Sequence, residues 1–259
     1  MIINTFDNKS ESKINPKMSD GRFKCDACVM TFSYIIEEEI VKEYNCEKIG
    51  EITFVTGITP IYKLKYNGKT FAFFRTFLGS PAATAAIEDS LEVIDTNNYI
   101  LFGGSGCLNK EISHGKIMIP TEAYRDEGTS YHYMEASDYV NVVNSNKVAE
   151  FMDYKKIPYI KGKTWTTDSI YRETINNIEK RKNDGCVSAE MECAGVQAMC
   201  SFRNLNLYYF LKSGDLLDAP NWDNRRPENT YNGTQHDIRY FDIALELANY
   251  ICNKQENIR

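Results

Sequence analysis

A chain of 259 residues, 42% apolar and 25% charged, can bury a full core and has the balance of a soluble globular protein. Its net charge of -6 and pI near 5.3 leave no basic stripe to neutralise phosphates, which argues against a nucleic-acid partner and for a small-molecule ligand. The longest apolar runs, such as Ile117 to Pro120 and Leu205 to Leu211, fall far short of the roughly 20 residues of a membrane span. No charged segment followed by an apolar one opens the chain, so the expectation is a cytoplasmic protein without membrane contact.

Residues 1–20 are polar and aperiodic and read as a flexible N-terminal arm, leaving 21–259 as one domain. Cys28 to Phe32 suits a buried strand, and Ile35, Ile36, Ile40 and Val41 recur at helical spacing after it. Ile58 to Tyr66, Asn67-Gly68 and Thr70 to Thr76 give the strand-turn-strand pattern of a hairpin. Gly79-Ser80-Pro81 punctuates before a helix over Ala82 to Val93, with Ser80 as its N-cap and Pro81 at the first position. Tyr99 to Phe102 is a strand expected to end in the loop Gly103-Gly104-Ser105-Gly106. Ile117 to Pro120 is a further strand, Arg125 to Ser130 a polar turn, and Val148 to Tyr154 a short amphipathic helix. Tyr159 to Thr166 is a strand and Glu173 to Asn183 a charged helix.

Next comes Val187-Ser188-Ala189-Glu190-Met191-Glu192-Cys193-Ala194-Gly195-Val196, read as a helix starting near Glu190, where amide N–H groups favour carboxylates. Leu207 to Lys212 is a strand ending in Ser213-Gly214-Asp215, and Phe241 to Asn253 closes the chain as an amphipathic helix. Strands alternating with helices favour a mixed or mostly parallel sheet covered on both faces, with the ligand at the carboxyl ends of strands. The eight cysteines are irregularly spaced and read as reduced thiols. Cys25-x-x-Cys28 lacks a second ligand pair and the three histidines are scattered, so no metal is expected.

Four segments after strands carry unusual residues: Gly103 to Gly106, Trp165 to Arg172, Glu190 to Glu192, and Ser213 to Asp218. A carboxylate pair can hold vicinal hydroxyls, a strand-end aspartate can act as general acid, and an aromatic loop can stack a flat ring. Sugar plus base is a ligand consistent with that set, and plain helix-start, turn and core roles remain open for the same residues.

The motifs Gly79-Ser80-Pro81, Gly103-x-x-Gly106-x-Leu108, Gly115 to Pro120 followed by Ala123 to Ser130, and Glu190-Met191-Glu192-Cys193-Ala194 resemble the nucleoside phosphorylase family, which includes uridine phosphorylases, hexameric-type purine nucleoside phosphorylases and methylthioadenosine nucleosidases. The resemblance runs from about Cys28 to Asn253. It implies an α/β fold whose mixed sheet forms a distorted barrel surrounded by helices. It also implies that Met191 and Glu192 hold the ribose, with Glu190 at another pocket position, and that Asp215 protonates the leaving base. Trp165, Ile170 and Tyr171 would wall the base, and Gly104, Ser105 and Gly106 would hold phosphate or water; for Arg225 and Arg226 a surface role is favoured over approaching the base or assisting Asp215. No cofactor is implied beyond phosphate as co-substrate, and the expected assembly is a homodimer or homohexamer.

The chain departs from the family where phosphate is bound. Leu101 and Gly104 stand where an Arg and a Thr or Ser are usual, Thr31 to Ile36 lacks the arginine loop that follows the first strand, and the Arg expected near Gly57 is absent. Ser105, the Gly104 to Gly106 amides and Arg75 are the local substitutes. The expected activity is phosphorolysis of a nucleoside, with purines favoured. The alternatives are hydrolysis by water activated at Glu37, Glu38 or Glu190, and nucleoside binding without turnover.

Overall fold

The computed structural model describes residues 1–18, 20–224 and 230–256. The chain divides into two compact units, one made of Met1–Asp7, Leu78–Pro81 and Gly103–Glu228, the other of Asn8–Phe77, Ala82–Phe102 and Asn229–Arg259. The fold is mixed α/β, and five strands of it close into a distorted barrel.

The second unit holds β1 (Phe23–Lys24), β2 (Ala27–Thr31), α1 (Tyr34–Glu43), β3 (Glu47–Phe54), β4 (Gly57–Tyr66), β5 (Lys69–Arg75), most of α2 (Ser80–Ser90), β6 (Ile94–Asp95) and the first half of β7 (Asn98–Cys107). β2 is buried along its whole length because β5 and β7 run parallel to it and cover both edges, while the chain's last helix packs against it. Ser33 caps α1 by accepting the Ile36 amide. Asn67 and Gly68 both take positive φ, the backbone a two-residue hairpin turn demands, and the antiparallel pairing of β4 with β5 follows.

The first unit carries the rest of β7, α3 (Lys110–Ser113), β8 (Ile117–Asp126), α4 (Ser130–Tyr133), β9 (Tyr139–Asn141), α5 (Ser145–Lys155), β10 (Tyr159–Thr167), α6 (Ile175–Asn183), β11 (Cys186–Glu190), α7 (Cys193–Phe202) and β12 (Asn206–Leu216). β7, β11, β10, β8 and β12 pair in that order and back to β7, which closes the ring. β8, β10 and β11 are mutually parallel, whereas β7 and β12 meet them antiparallel. Helices α5 and α7 pack on β8, β10 and β12, and α6 lies on β11. The last helix, α8 (Thr230–Glu256), returns to the second unit and covers β2.

Three expectations from sequence are corrected. The glycine run is not a loop, because β7 continues through Gly103 to Gly106; the missing side chains let it lie against a neighbouring strand. The helix expected near Glu190 begins at Cys193 instead, with Glu190 the last residue of β11. Ser80 is already inside α2, and its hydroxyl donates to the Met191 carbonyl at 3.0 Å rather than capping.

Candidate functional site

The site is built within the first unit, at the junction of β11 and α7. Register places Thr166 of β10 beside Glu190 of β11, so the threonine hydroxyl donates to Glu190 Oε1. The other oxygen, Oε2, accepts the backbone N–H of Glu192 at 2.8 Å and of Cys193 at 2.6 Å, and the Tyr209 hydroxyl at 3.3 Å. Glu190 therefore satisfies amides that a helix start leaves without intrahelical partners.

Glu192, at the N-cap position of α7, accepts the Gly79 amide at 2.7 Å. The approach of that loop depends on Gly195, where a Cβ would stand 2.6 Å from the Ser80 Cβ. Both carboxyls are buried, and burial pushes both upward from the ordinary carboxylate range. The negative charge of Glu190 pushes Glu192 further, while the donors around Glu190 pull its own value back. The donors around Glu190 thus offset part of the effect of its burial, whereas burial and the charge of Glu190 together push Glu192 toward its neutral form.

The second cluster lies where β7 meets the end of β12. Ser105 donates its hydroxyl to the Lys212 carbonyl at 3.2 Å. The Lys212 side chain reaches Gly104, its Cε 3.7 Å from where a Cβ would stand. Gly106 faces Leu217 and Asp215, with Asp215 Oδ1 3.6 Å from its Cβ position. After Asp215 the chain is pinned by the Leu217 and Asp218 amides, which donate to the Cys107 carbonyl at 3.0 and 3.2 Å. Lys182 and the Lys110 amide hold the Asp218 carboxylate, at 2.7 and 3.0 Å. An antiparallel bridge between Leu216 and Asp223 then closes the loop.

Two residues at Asp215 escape a reading by motif. Trp222 donates its indole N–H to Asp215 Oδ2 at 2.7 Å, with its ring still 65% exposed. Glu173, just before α6, is pushed up to about 7 by burial first and by the charge of Asp215 second. The chain holds only two tryptophans, so an indole seven residues beyond the strand-end aspartate was a usable signal. Glu173 looked like an ordinary charged residue at a helix start.

The residues expected to wall a base are not alike. Trp165 is buried against Leu108, Cys186 and Ala189, and its indole donates to Asp126 at 3.0 Å. Ile170 and Tyr171 stand outside, 52% and 96% exposed. Arg225 and Arg226 lie outside the described residues. In the second unit, Arg75 is engaged by Glu37, Nε to Oε2 at 2.8 Å, while Glu38 is exposed. Among the described residues no group of three or more His, Cys, Asp or Glu is arranged to hold a metal, and no helix is long and apolar enough to cross a membrane.

Residues 29–229 match the family described as "Phosphorylase superfamily". A DeoD-type purine nucleoside phosphorylase of Exiguobacterium sp. is 24% identical over 210 residues, covering 79% of this chain and 86% of that protein. An uncharacterized protein of Acanthamoeba polyphaga mimivirus is 25% identical over 163 residues, which span 62% of this chain and 64% of the relative's length. Among solved structures, the AMP nucleosidase of Bacteroides thetaiotaomicron superposes with a TM-score of 0.69 at 15% identity, covering 90% of each chain.

Proposed function

This chain belongs to the phosphorylase superfamily, and we propose that it cleaves the N-glycosidic bond of a purine nucleoside with phosphate, giving the free base and ribose 1-phosphate. Glu192 and Met191 hold the ribose: one Glu192 oxygen is fixed by the Gly79 amide, and the carboxyl accepts from and donates to the sugar hydroxyls. Asp215 protonates the base as the C1′–N9 bond breaks and its electron pair passes to the purine. A phosphate oxygen forms the new bond to C1′, which by then resembles an oxocarbenium ion. Ile170 and Tyr171 supply exposed apolar surface toward the base, whereas Trp165 is buried among Leu108, Cys186 and Ala189.

The observation that carries this reading is the placement of Asp215 against Gly106, with Lys212 reaching Gly104 two residues earlier. Acid and cation thus flank one short glycine run. An ammonium supplies the charge-assisted donor a phosphate dianion needs where the usual arginines are lacking. Gly104 and Gly106 lie on the same face of β7, the face given to the phosphate, while Ser105 between them fixes the Lys212 backbone through its hydroxyl.

Hydrolysis is the second reading, favoured by the buried Leu101 in the usual arginine position and by the likeness in fold to a nucleosidase. Against it, two of the carboxylates suited to activating water are engaged, Glu190 by its donors and Glu37 by Arg75. Asp215→Asn tests the reaction at its acid: purine release falls by roughly 100-fold or more with the melting temperature unchanged. Unaltered release would remove Asp215 from the chemistry.

A further inference from the structure

Trp222 lies outside every motif that pointed to the site, yet its indole N–H donates to Asp215 Oδ2 at 2.7 Å. The bridge between Leu216 and Asp223 explains how. Its antiparallel register sets Trp222 opposite Leu217 and diagonal to Asp215 on the same face, a separation that aromatic side chains span. The loop between them is held to β7 and to Lys182 by the bonds at Leu217 and Asp218. The contact therefore rests on an anchored backbone, although the indole ring is largely exposed.

An indole nitrogen is a donor and never an acceptor. Asp215 Oδ2, which takes that N–H at 2.7 Å, must present a lone pair to it. In a protonated carboxyl the carbonyl oxygen is the stronger acceptor, so a donor fixed on Oδ2 favours the hydrogen on Oδ1, the oxygen turned toward Gly106. We propose that Trp222 is a positioning residue that selects which oxygen of Asp215 carries the proton, aiming it at the purine being released. The inference rests on the proposed nucleoside cleavage. Within it, the indole is a neutral donor, which orients the carboxyl without placing a charge of its own beside a base that gains a proton.

Two purine nucleosides separate this role from a structural or stacking one. Inosine needs a proton on its leaving base, whereas 7-methylguanosine carries a base already cationic and needs none. Trp222→Phe keeps an aromatic ring and loses the N–H. Its kcat on inosine is expected to fall by roughly 10- to 100-fold, the range for one hydrogen bond to a charged group. Its kcat on 7-methylguanosine should stay within about twofold of the unaltered protein, since no proton transfer is being aimed. Equal losses of kcat on both substrates, or a rise in KM on both with kcat unchanged, would overturn the proposal while leaving the nucleoside reading intact. Failure of the unaltered protein to cleave either nucleoside would overturn both.

Discussion

Glu190 accepts the backbone N–H of Glu192 at 2.8 Å, so one acid of the pair fixes the position of the other. The two carboxylates, two residues apart in sequence, are therefore expected to fail differently. Glu190→Ala strips acceptors from the Glu192 and Cys193 amides and from the Thr166 and Tyr209 hydroxyls. Leaving several buried donors unmatched costs on the order of 3 kcal/mol or more, which lowers the melting temperature by about 6 to 12 °C. Glu192→Gln keeps the shape and should melt within a few degrees of the unaltered chain, but it lowers kcat/KM for a nucleoside by roughly 10- to 100-fold. Thermal melts and initial rates on both variants check the division; a Glu192→Gln protein with full activity would contradict it.

Trp165 serves as core rather than as an open face toward solvent. Trp165→Ala empties a space enclosed by Leu108, Cys186 and Ala189 and leaves the Asp126 carboxylate without its indole donor. A loss of about 3 to 5 kcal/mol in unfolding free energy is expected, the usual cost of removing a buried aromatic ring. Tyr171→Ala, at a side chain 96% exposed, should leave stability within about 0.5 kcal/mol. Denaturant unfolding of the two variants measures the contrast.

Glu173 gives the protein a dependence of stability on pH. Burial and the charge of Asp215 raise it from an ordinary 4.5 to about 7 in the folded chain. Between those values the folded state holds a proton that the unfolded state has released, so stability falls as pH rises through that window and levels off above it. Below the lower value both states are protonated and the effect vanishes. Glu173→Gln removes this contribution, so the variant should lose less stability than the parent between pH 5 and pH 8. Melting curves at those two values test it, and parallel losses in both proteins would contradict it.

Local chemistry made much of the fold legible. Asn67-Gly68 announces its turn because both residues tolerate positive φ, and the hairpin of β4 and β5 follows whatever packs on it. β3 went unread because a strand lying mostly at the surface buries little more than Ile52, and its charged residues hide the alternation. Glycine usually punctuates, so a strand passing through Gly103 to Gly106 ran against the local signal; the reason lies in Leu217, Asp215 and Lys212, all distant in sequence. The acidic pair was visible as a pattern. Its geometry was not, because the strand-to-helix switch after Glu190 is set by bonds from Thr166 and Tyr209 on other strands. Trp222 reaches Asp215 through a single bridge that no periodicity marks.

The central claim, that a nucleoside held at Glu192 is cleaved by phosphate with Asp215 as acid, is tested most directly by the sugar product. Inosine is incubated with the protein in the presence and in the absence of inorganic phosphate, and the products are separated and identified. Hypoxanthine and ribose 1-phosphate in equal amounts, formed only with phosphate present, are the predicted result. Hypoxanthine with free ribose in the absence of phosphate, or no release of base under either condition, would contradict it.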